Sequence, residues 1–408
     1  MKNLPALMIV GLLAAPGNGQ SVDLFNGRDL RGWDGDPAVW TVEDGAIVGR
    51  VAEGTHMADH TYLIWQGGPV RDFELSLQFR SEGGNSGVDY RADRIAKSKT
   101  GQDLRWTLQG YQADIVPNWM GSFYNWQRAG AQPGQFAIVT TAPGDKGGQA
   151  TKVFPLADAN AVRSLGYYRP DRWNEYTITV RGEHVIHRIN GFQTVELIDV
   201  SDLKRTEGYL GFQVHAGNKK QVHRFKEVRL EPLRHAFGRP LFLRGGPQAT
   251  GLEVLEPDNA PPPGPDALAF VVHTPAGAMV QTKERFADCI LRFQFRRDAN
   301  DLSVWLRIGE GRRLGVTGIG RSSARIDHEG DSRLRVVEIP KIPPALEPSF
   351  DTSWDDCEIS LIGGELDVKI NGRLRTRAVD GARARGTIGF ASNTSKIVRN
   401  VVLIPVLP

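Results

Sequence analysis

The chain has 408 residues, 40% of them hydrophobic and 24% charged, which is enough apolar material for more than one globular core. Lys and Arg number 50 against 47 Asp and Glu, and a formal charge of +3 spread this evenly argues against a nucleic-acid or membrane-surface binder. With 46 Gly and 24 Pro scattered without period, collagen-like and low-complexity architectures are set aside and turn-rich β structure is expected.

Residues 1–20 carry Lys2, an apolar run from Ala6 to Ala15, and then the small residues Gly17 and Gly19. This pattern reads as a secretory signal peptide and predicts a periplasmic or secreted protein, the alternative being an apolar tail on a cytosolic one. The run falls short of the roughly 20 residues that cross a bilayer, so no membrane insertion is expected. From Ser21 onward, apolar and polar residues alternate at period two in short runs such as Phe73 to Phe79, Tyr176 to Val180 and Tyr209 to Val214. Half-buried antiparallel strands produce that alternation, because successive side chains leave opposite faces of the sheet. The prediction is an all-β protein of β-sandwich architecture. Residues 21–233 form a first domain, 234–265 a proline-interrupted linker, and 266–408 a second domain.

An internal repeat supports that division. Phe73 to Arg91 aligns without a gap on Cys289 to Arg307, so that Arg91 falls on Arg307; Trp173 to Gly191 aligns on Trp354 to Gly372. A Gly-x-x-Gly-Phe strand recurs as Gly208 to Phe212 and Gly386 to Phe390. Two copies of one sandwich explain this most economically. Between the aligned blocks the first copy spans 82 residues (Arg91 to Trp173) and the second 47 (Arg307 to Trp354). The extra length contains Trp106, Gln112, Asp114, Trp119, Tyr124 and Trp126, too aromatic for a disordered insertion, which places the expected functional site in the first copy. The two cysteines, Cys289 and Cys357, lie on strands of one sandwich, so either a disulfide or two buried thiols is consistent with the sequence.

Alternation also sorts the polar residues by face. In Gly110 to Ile115, the residues Tyr111, Ala113 and Ile115 should pack inward and leave Gln112 and Asp114 together outside. The same reasoning pairs Asp89 with Arg91 and Gln213 with His215. If these faces coincide, an Asp, an Arg and a His converge on one cleft, the minimum for general acid–base chemistry on a polar substrate; otherwise they are a solvated face with incidental ion pairs. His187, between Val185 and Ile189, suits a satisfied half-buried histidine as well as a functional one. Trp106, Trp119 and Trp126 could stack on sugar rings or simply pack. His56 and His60 occur four apart in a stretch with no helical pattern, which reads as coincidence. Zinc-binding His-Glu-x-x-His, Cys-x-x-Cys pairs, a Gly-x-Ser-x-Gly elbow, a phosphate-binding glycine loop and a Glu-x-Asp-x-Glu strand are all absent from the sequence, which disfavours an ordinary two-carboxylate glycosidase.

The motifs Leu24-Phe25-Asn26-Gly27-Arg28-Asp29-Leu30, Trp40-Thr41-Val42-Glu43-Asp44-Gly45, Gly84-Asn85-Ser86-Gly87-Val88, Gly110 to Ile115, Gly121-Ser122-Phe123-Tyr124, Trp173-Asn174-Glu175-Tyr176, His187 to Gly191 and Gly208 to His215 resemble the 3-keto-disaccharide hydrolase family. The resemblance runs from about Val22 to Leu233, and the second copy is similar only as a degenerate relative, suited to a carbohydrate-binding or structural accessory role. It implies a concanavalin A-like jelly roll in each copy and an enzyme acting on glycosides already oxidised to a ketone at C3; the alternative is a noncatalytic carbohydrate-binding protein. A C3 carbonyl acidifies the C2 proton, so a modest base suffices for elimination of the C1 substituent, followed by hydration. On this reading Asp114 is the base, His215 the acid or a metal ligand, and Arg91 stabilises the oxyanion. Asn85, Gln112, Tyr124, Gln213, His187 and Trp126 would hold the sugar. A divalent metal, used by some family members, could sit on Asp89, Asp114, Gln112 and His215, although no spacing demands it. The chain departs from the family at Asn125-Trp126-Gln127, where members often carry an acidic residue.

Overall fold

The computed structural model describes residues 21–405 apart from short stretches, the longest being 143–147, 156–161, 234–240, 245–251, 256–269, 330–334, 338–353 and 380–384. The expected signal segment, residues 1–20, lies outside the described residues. Among the described residues, thirty-one strands form four sheets, stacked in pairs as two β-sandwiches.

In the first sandwich a ten-stranded sheet is built around Phe73–Glu82, flanked by Asn174–Arg181 and Gln221–Pro232. It faces a seven-stranded sheet whose order is Gly130–Ala131, Phe123–Asn125, Asp103–Ile115, Ser86–Lys97, Tyr209–Val214, Thr61–Trp65 and Trp33–Asp34. Between them lie the inward residues of both, among them Leu75, Leu77, Phe79, Tyr90, Tyr111, Ile178 and Phe212, at most 1% exposed. Burial of a side chain of this size contributes roughly 1.5–3 kcal/mol, so the alternation is the main sequence determinant of the fold. The second sandwich repeats the plan around Cys289–Arg296 and Leu302–Gly309, with its own core of Leu291, Phe293, Leu306, Ile359 and Phe390. Asn190 and Asn371, aligned in the repeat, both adopt φ of 50° at matching hairpin turns.

The stretch 234–265, expected to be a bare connection, contains two strands, Leu241–Arg244 and Glu253–Leu255. The first pairs with Lys396–Pro405 and carries Leu243 into the second core, so its apolar residues are used as sheet rather than linker. Cys289 and Cys357 are buried and unbridged. Cys289 lies opposite Leu361 and Cys357 opposite Phe293, four residues apart along neighbouring strands, or roughly 13 Å at the strand rise, beyond the reach of a disulfide.

The sandwiches pack through the outer faces of their larger sheets. Phe136, Ile138 and Ile198 meet Ile290, Val402 and Ile404 in an apolar strip. Beside it Arg181 bonds Glu358 at 3.1 Å, Arg188 bonds Asp356 at 2.9 Å, and Arg292 bonds Glu196 at 2.6 Å. His184 Nε2 also reaches Glu196, at 2.8 Å. The facing cations hold Glu358 and Glu196 below the usual carboxylate range despite burial. Burying charges is tolerable only because each is paired.

Candidate active site

The outer face of the seven-stranded sheet is where the sequence places its polar residues, and the strand registers determine which of them meet. Asp89 is opposite Gln112, and Gly87 is opposite Asp114. Gln213 is opposite Tyr62, and Gln112 is opposite Tyr124. Gln112 Nε2 donates to Asp89 Oδ2 at 3.0 Å, and Gln213 Nε2 donates to the Tyr62 hydroxyl at 2.8 Å. The Gln112 side chain lies over Gly87, where a Cβ would come within 2.6–2.8 Å of it. A larger residue at 87 would displace the Gln112 side chain.

One wall of the groove is made by the far half of the hairpin joining Ser86–Lys97 to Asp103–Ile115. Both strands shift register past Tyr90, and Arg91 takes a left-handed backbone at φ 47°. Such a bulge bends a strand pair out of its plane. Gly208 permits the crossing, since a Cβ there would lie 2.3 Å from the Arg91 carbonyl carbon. The bent hairpin lays Ala92 and Leu108 over Tyr62 and Ile64, and is pinned at Asp34 by Trp106 Nε1 and Arg94, each at 2.9 Å.

The mouth is lined by aromatic and imidazole rings. His60 and His215 meet at a tilt with centroids 4.2 Å apart, Trp126 packs edge-on against His60 at 5.7 Å, and Tyr124, 40% exposed, neighbours Trp126 at 6.4 Å. The Ala216 carbonyl accepts from His215 Nδ1 at 2.7 Å, and the Ala216 amide donates to His60 Nδ1 at 3.0 Å, so each ring presents its Nε2 away from the backbone. A cleft of about 480 Å³ opens alongside, bordered by Asn85, Trp119, His215 and Lys219.

The buried floor is electrostatically unusual. Burial raises Asp114 to about 7. Burial, and after it the Asp114 carboxyl, push Asp89 well above the ordinary carboxylate range. Burial and then His215 lower His60 to about 4, so it stays neutral in the working range of most proteins. Asp89 Oδ1, Gln213 Oε1 and Asn85 Oδ1 have no hydrogen-bond partner among the described residues, although all three are buried atoms. Unpaired buried oxygens of this kind are costly in isolation and mark a polar surface that lacks its partner.

Asp114, Gln112, Gln213, Tyr124, Trp126, Asn85 and His215 thus lie on or beside the outer face of the seven-stranded sheet, Asn85 and His215 at the border of the cleft. Two expected residues do not. Arg91 is 2% exposed and turned to the end of the sandwich, where its guanidinium donates to the carbonyls of Arg71, Gly182 and Arg205 and pairs with Asp72 at 2.9 Å. The bulge breaks the alternation that would have put it beside Asp89. His187 lies inside the core, fully buried, with Nε2 bonded to the Tyr90 hydroxyl at 2.8 Å. Burial lowers it to about 3, as suits a neutral core histidine. His60, whose spacing from His56 reads as coincidence, belongs to the groove; it needs no helix, because it meets His215 from a neighbouring strand end. Asn125, the first residue of the stretch that departs from the family, faces inward to Gln149, and Gln127 lies outside the described residues. The set Asp89, Asp114, Gln112 and His215 is a poor fit for a metal. Gln112 turns its amide nitrogen, not its oxygen, to Asp89, and among the described residues no three His, Cys, Asp or Glu side chains gather as ligands.

Residues 20–231 match the model of the 3-keto-alpha-glucoside-1,2-lyase-like domain, and this span is more than half of the chain. The chain belongs to that family. A 3-keto-disaccharide hydrolase of Bacteroides thetaiotaomicron is 32% identical over 96 residues, which are 20% of this chain and 31% of that protein, so the likeness spans under a third of the relative's length. Among solved structures, a Parabacteroides distasonis protein provisionally assigned as a glycosyl hydrolase superposes with a TM-score of 0.34 at 18% identity, covering 53% of this chain and 94% of its own. The carbohydrate-binding module CBM66 of Bacillus subtilis gives a TM-score of 0.31 at 14% identity, covering 49% and 95%. The family match and the groove fall in the same sandwich.

Proposed function

We propose that the first sandwich cleaves glycosides carrying a ketone at C3, with Asp114 as general base. The observation that carries this reading is the Asp114 carboxyl, placed opposite Gly87 on the outer face of the seven-stranded sheet and raised to about 7 by burial, in a chain of this family. A base poised near neutrality takes a proton most effectively, and the C2 proton next to a C3 carbonyl is acidic enough for a carboxylate to remove. Asp114 takes that proton, and its electron pair moves into the C2–C3 bond to leave an enolate at the C3 oxygen. As the ketone re-forms, the C1–O bond breaks and the departing oxygen takes the Nε2 proton of a His215 imidazolium, whose Nδ1–H stays on the Ala216 carbonyl. Water then adds across C1 and C2, oxygen to C1 and hydrogen to C2, giving a free 3-keto sugar. Gln112, Gln213, Asn85, Tyr124 and Trp126 hold the ring and its hydroxyls. We further propose that the protein works outside the cytoplasm, from its N-terminal apolar segment, which cell fractionation would test.

The test is to incubate the purified protein separately with a 3-keto-disaccharide and with its unoxidised parent. Monosaccharide release from the ketone alone supports the reading. Cleavage of the parent sugar, or sugar bound without turnover, overturns it.

A further inference from the structure

Cleavage through an enolate needs a hydrogen-bond donor for the C3 oxygen as charge develops there, and Arg91 is turned away to Asp72. Asp89 stands on the groove face in its place. It is fully buried, its Oδ2 accepts from Gln112, and its Oδ1 has no partner among the described residues. The groups facing it are Gln112 and Asp114 from one neighbouring strand and the Tyr62 phenol from beyond the other. Arg205 is the cation whose charge reaches it, and that guanidinium is already paired with Asp93 at 2.6 Å. A dry carboxyl oxygen with neither cation nor N–H upon it is most stable as the neutral acid.

The registers put Asp89 and Asp114 diagonally across adjacent strands on one face, a separation of roughly 7–8 Å between backbones. A carbonyl oxygen and the hydrogen on the adjoining carbon can be reached together from two such points. We infer that Asp89 is a further catalytic residue, whose protonated carboxyl donates from Oδ1 to the C3 oxygen and stabilises the enolate that Asp114 generates, a role that rests on the cleavage chemistry proposed above. Its proton stays on Asp89 throughout; only the C2–H and C1–O bonds break. The two carboxyls divide the work because their surroundings separate them: Asp89 is pushed well up by burial and by Asp114, while Asp114 ionises near 7.

Two substitutions and one spectrum test this. Asp89→Asn keeps a neutral N–H donor in the position of Oδ1, whereas Asp89→Ala removes the donor. Turnover of a 3-keto-disaccharide should fall no more than about 10-fold in kcat for D89N and by about 10²–10³ for D89A, with KM little changed in either. The infrared difference spectrum of wild type minus D89N at pH 7 should show the carbonyl stretch of a protonated carboxylic acid. A carboxylate band there overturns the inference whatever the kinetics, and so does a D89N as inactive as D89A or a D89A as active as wild type. If wild type itself leaves the ketone untouched, the cleavage reading fails first and takes this role with it, an outcome told apart by the wild-type blank.

Discussion

The two sandwiches share a frame and differ in what stands on it. Each bends at an arginine with a left-handed backbone, Arg91 at φ 47° and Arg307 at φ 52°. Each arginine is locked to the aligned carboxylate, Asp72 or Asp288, at 2.9 Å, and each is crossed by a glycine, Gly208 or Gly386. On that frame the first copy sets Asp89 opposite Gln112, while the second sets Trp305 opposite Gly315. The indole lies on Gly315, where a Cβ would come within 2.6 Å of the ring, and the Arg313 guanidinium covers it at 4.6 Å. Gln213 and His215 align with Ala391 and Asn393. What both copies keep is therefore a folding device, and what one copy alone has is the chemistry. The hairpin wall divides in the same way: Ser86–Lys97 and Asp103–Ile115 are long enough to fold back over the sheet, and Leu302–Gly309 and Arg312–Gly320 are not.

The largest way to break this comparison is Asp114→Asn, which should lower kcat on a 3-keto-disaccharide by about 10²–10⁴ with the thermal midpoint preserved, measured by single-substrate kinetics beside a melt. Next come Arg91→Ala and Arg307→Ala. Each strands a carboxylate and, for Arg91, three backbone carbonyls, so each should cost about 3–5 kcal/mol in urea unfolding of its own sandwich. Similar losses from the two would establish one structural role in both copies; a catalytic role for Arg91 would instead appear as lost kcat in a protein that still folds well.

A smaller effect is graded with pH. Asp114 must be ionised to act, so kcat/KM should rise about tenfold per pH unit below about 7 and level off above it, and D114N should lose that limb. The stability sign is the reverse. A carboxyl raised on folding binds its proton more tightly in the folded than in the unfolded state. Its contribution is thus fully present below the ordinary aspartate range and lost as pH rises toward 7. The smallest expected effect is that of Trp305→Ala, which should change kcat less than twofold, because that ring stands where the second copy has no Asp89.

Much of the fold was legible because the side-chain period of a strand is two. It sorted Tyr111, Ala113 and Ile115 into the core and Gln112 and Asp114 onto the groove, and the Asn-Gly turns marked the repeat. The bulge at Arg91 was not legible from alternation, since one extra residue reverses the face of every later residue in the strand. A signal was nonetheless present: a copy that lost Gln213 and His215 kept this arginine, as a structural residue would be kept. His187 shares its strand face with Val185 and Ile189, which are core residues, and its burial comes from theirs. The cysteine separation and the His60–His215 contact depend on strand register, which composition and spacing do not encode.

The most direct test is exchange of the C2 hydrogen of a 3-keto-glycoside in deuterated solvent, monitored by NMR. The account predicts that wild type catalyses exchange or cleavage with deuterium at C2 and that Asp114→Asn does neither. Cleavage with the C2 hydrogen fully retained, or unaltered exchange by the variant, would contradict it.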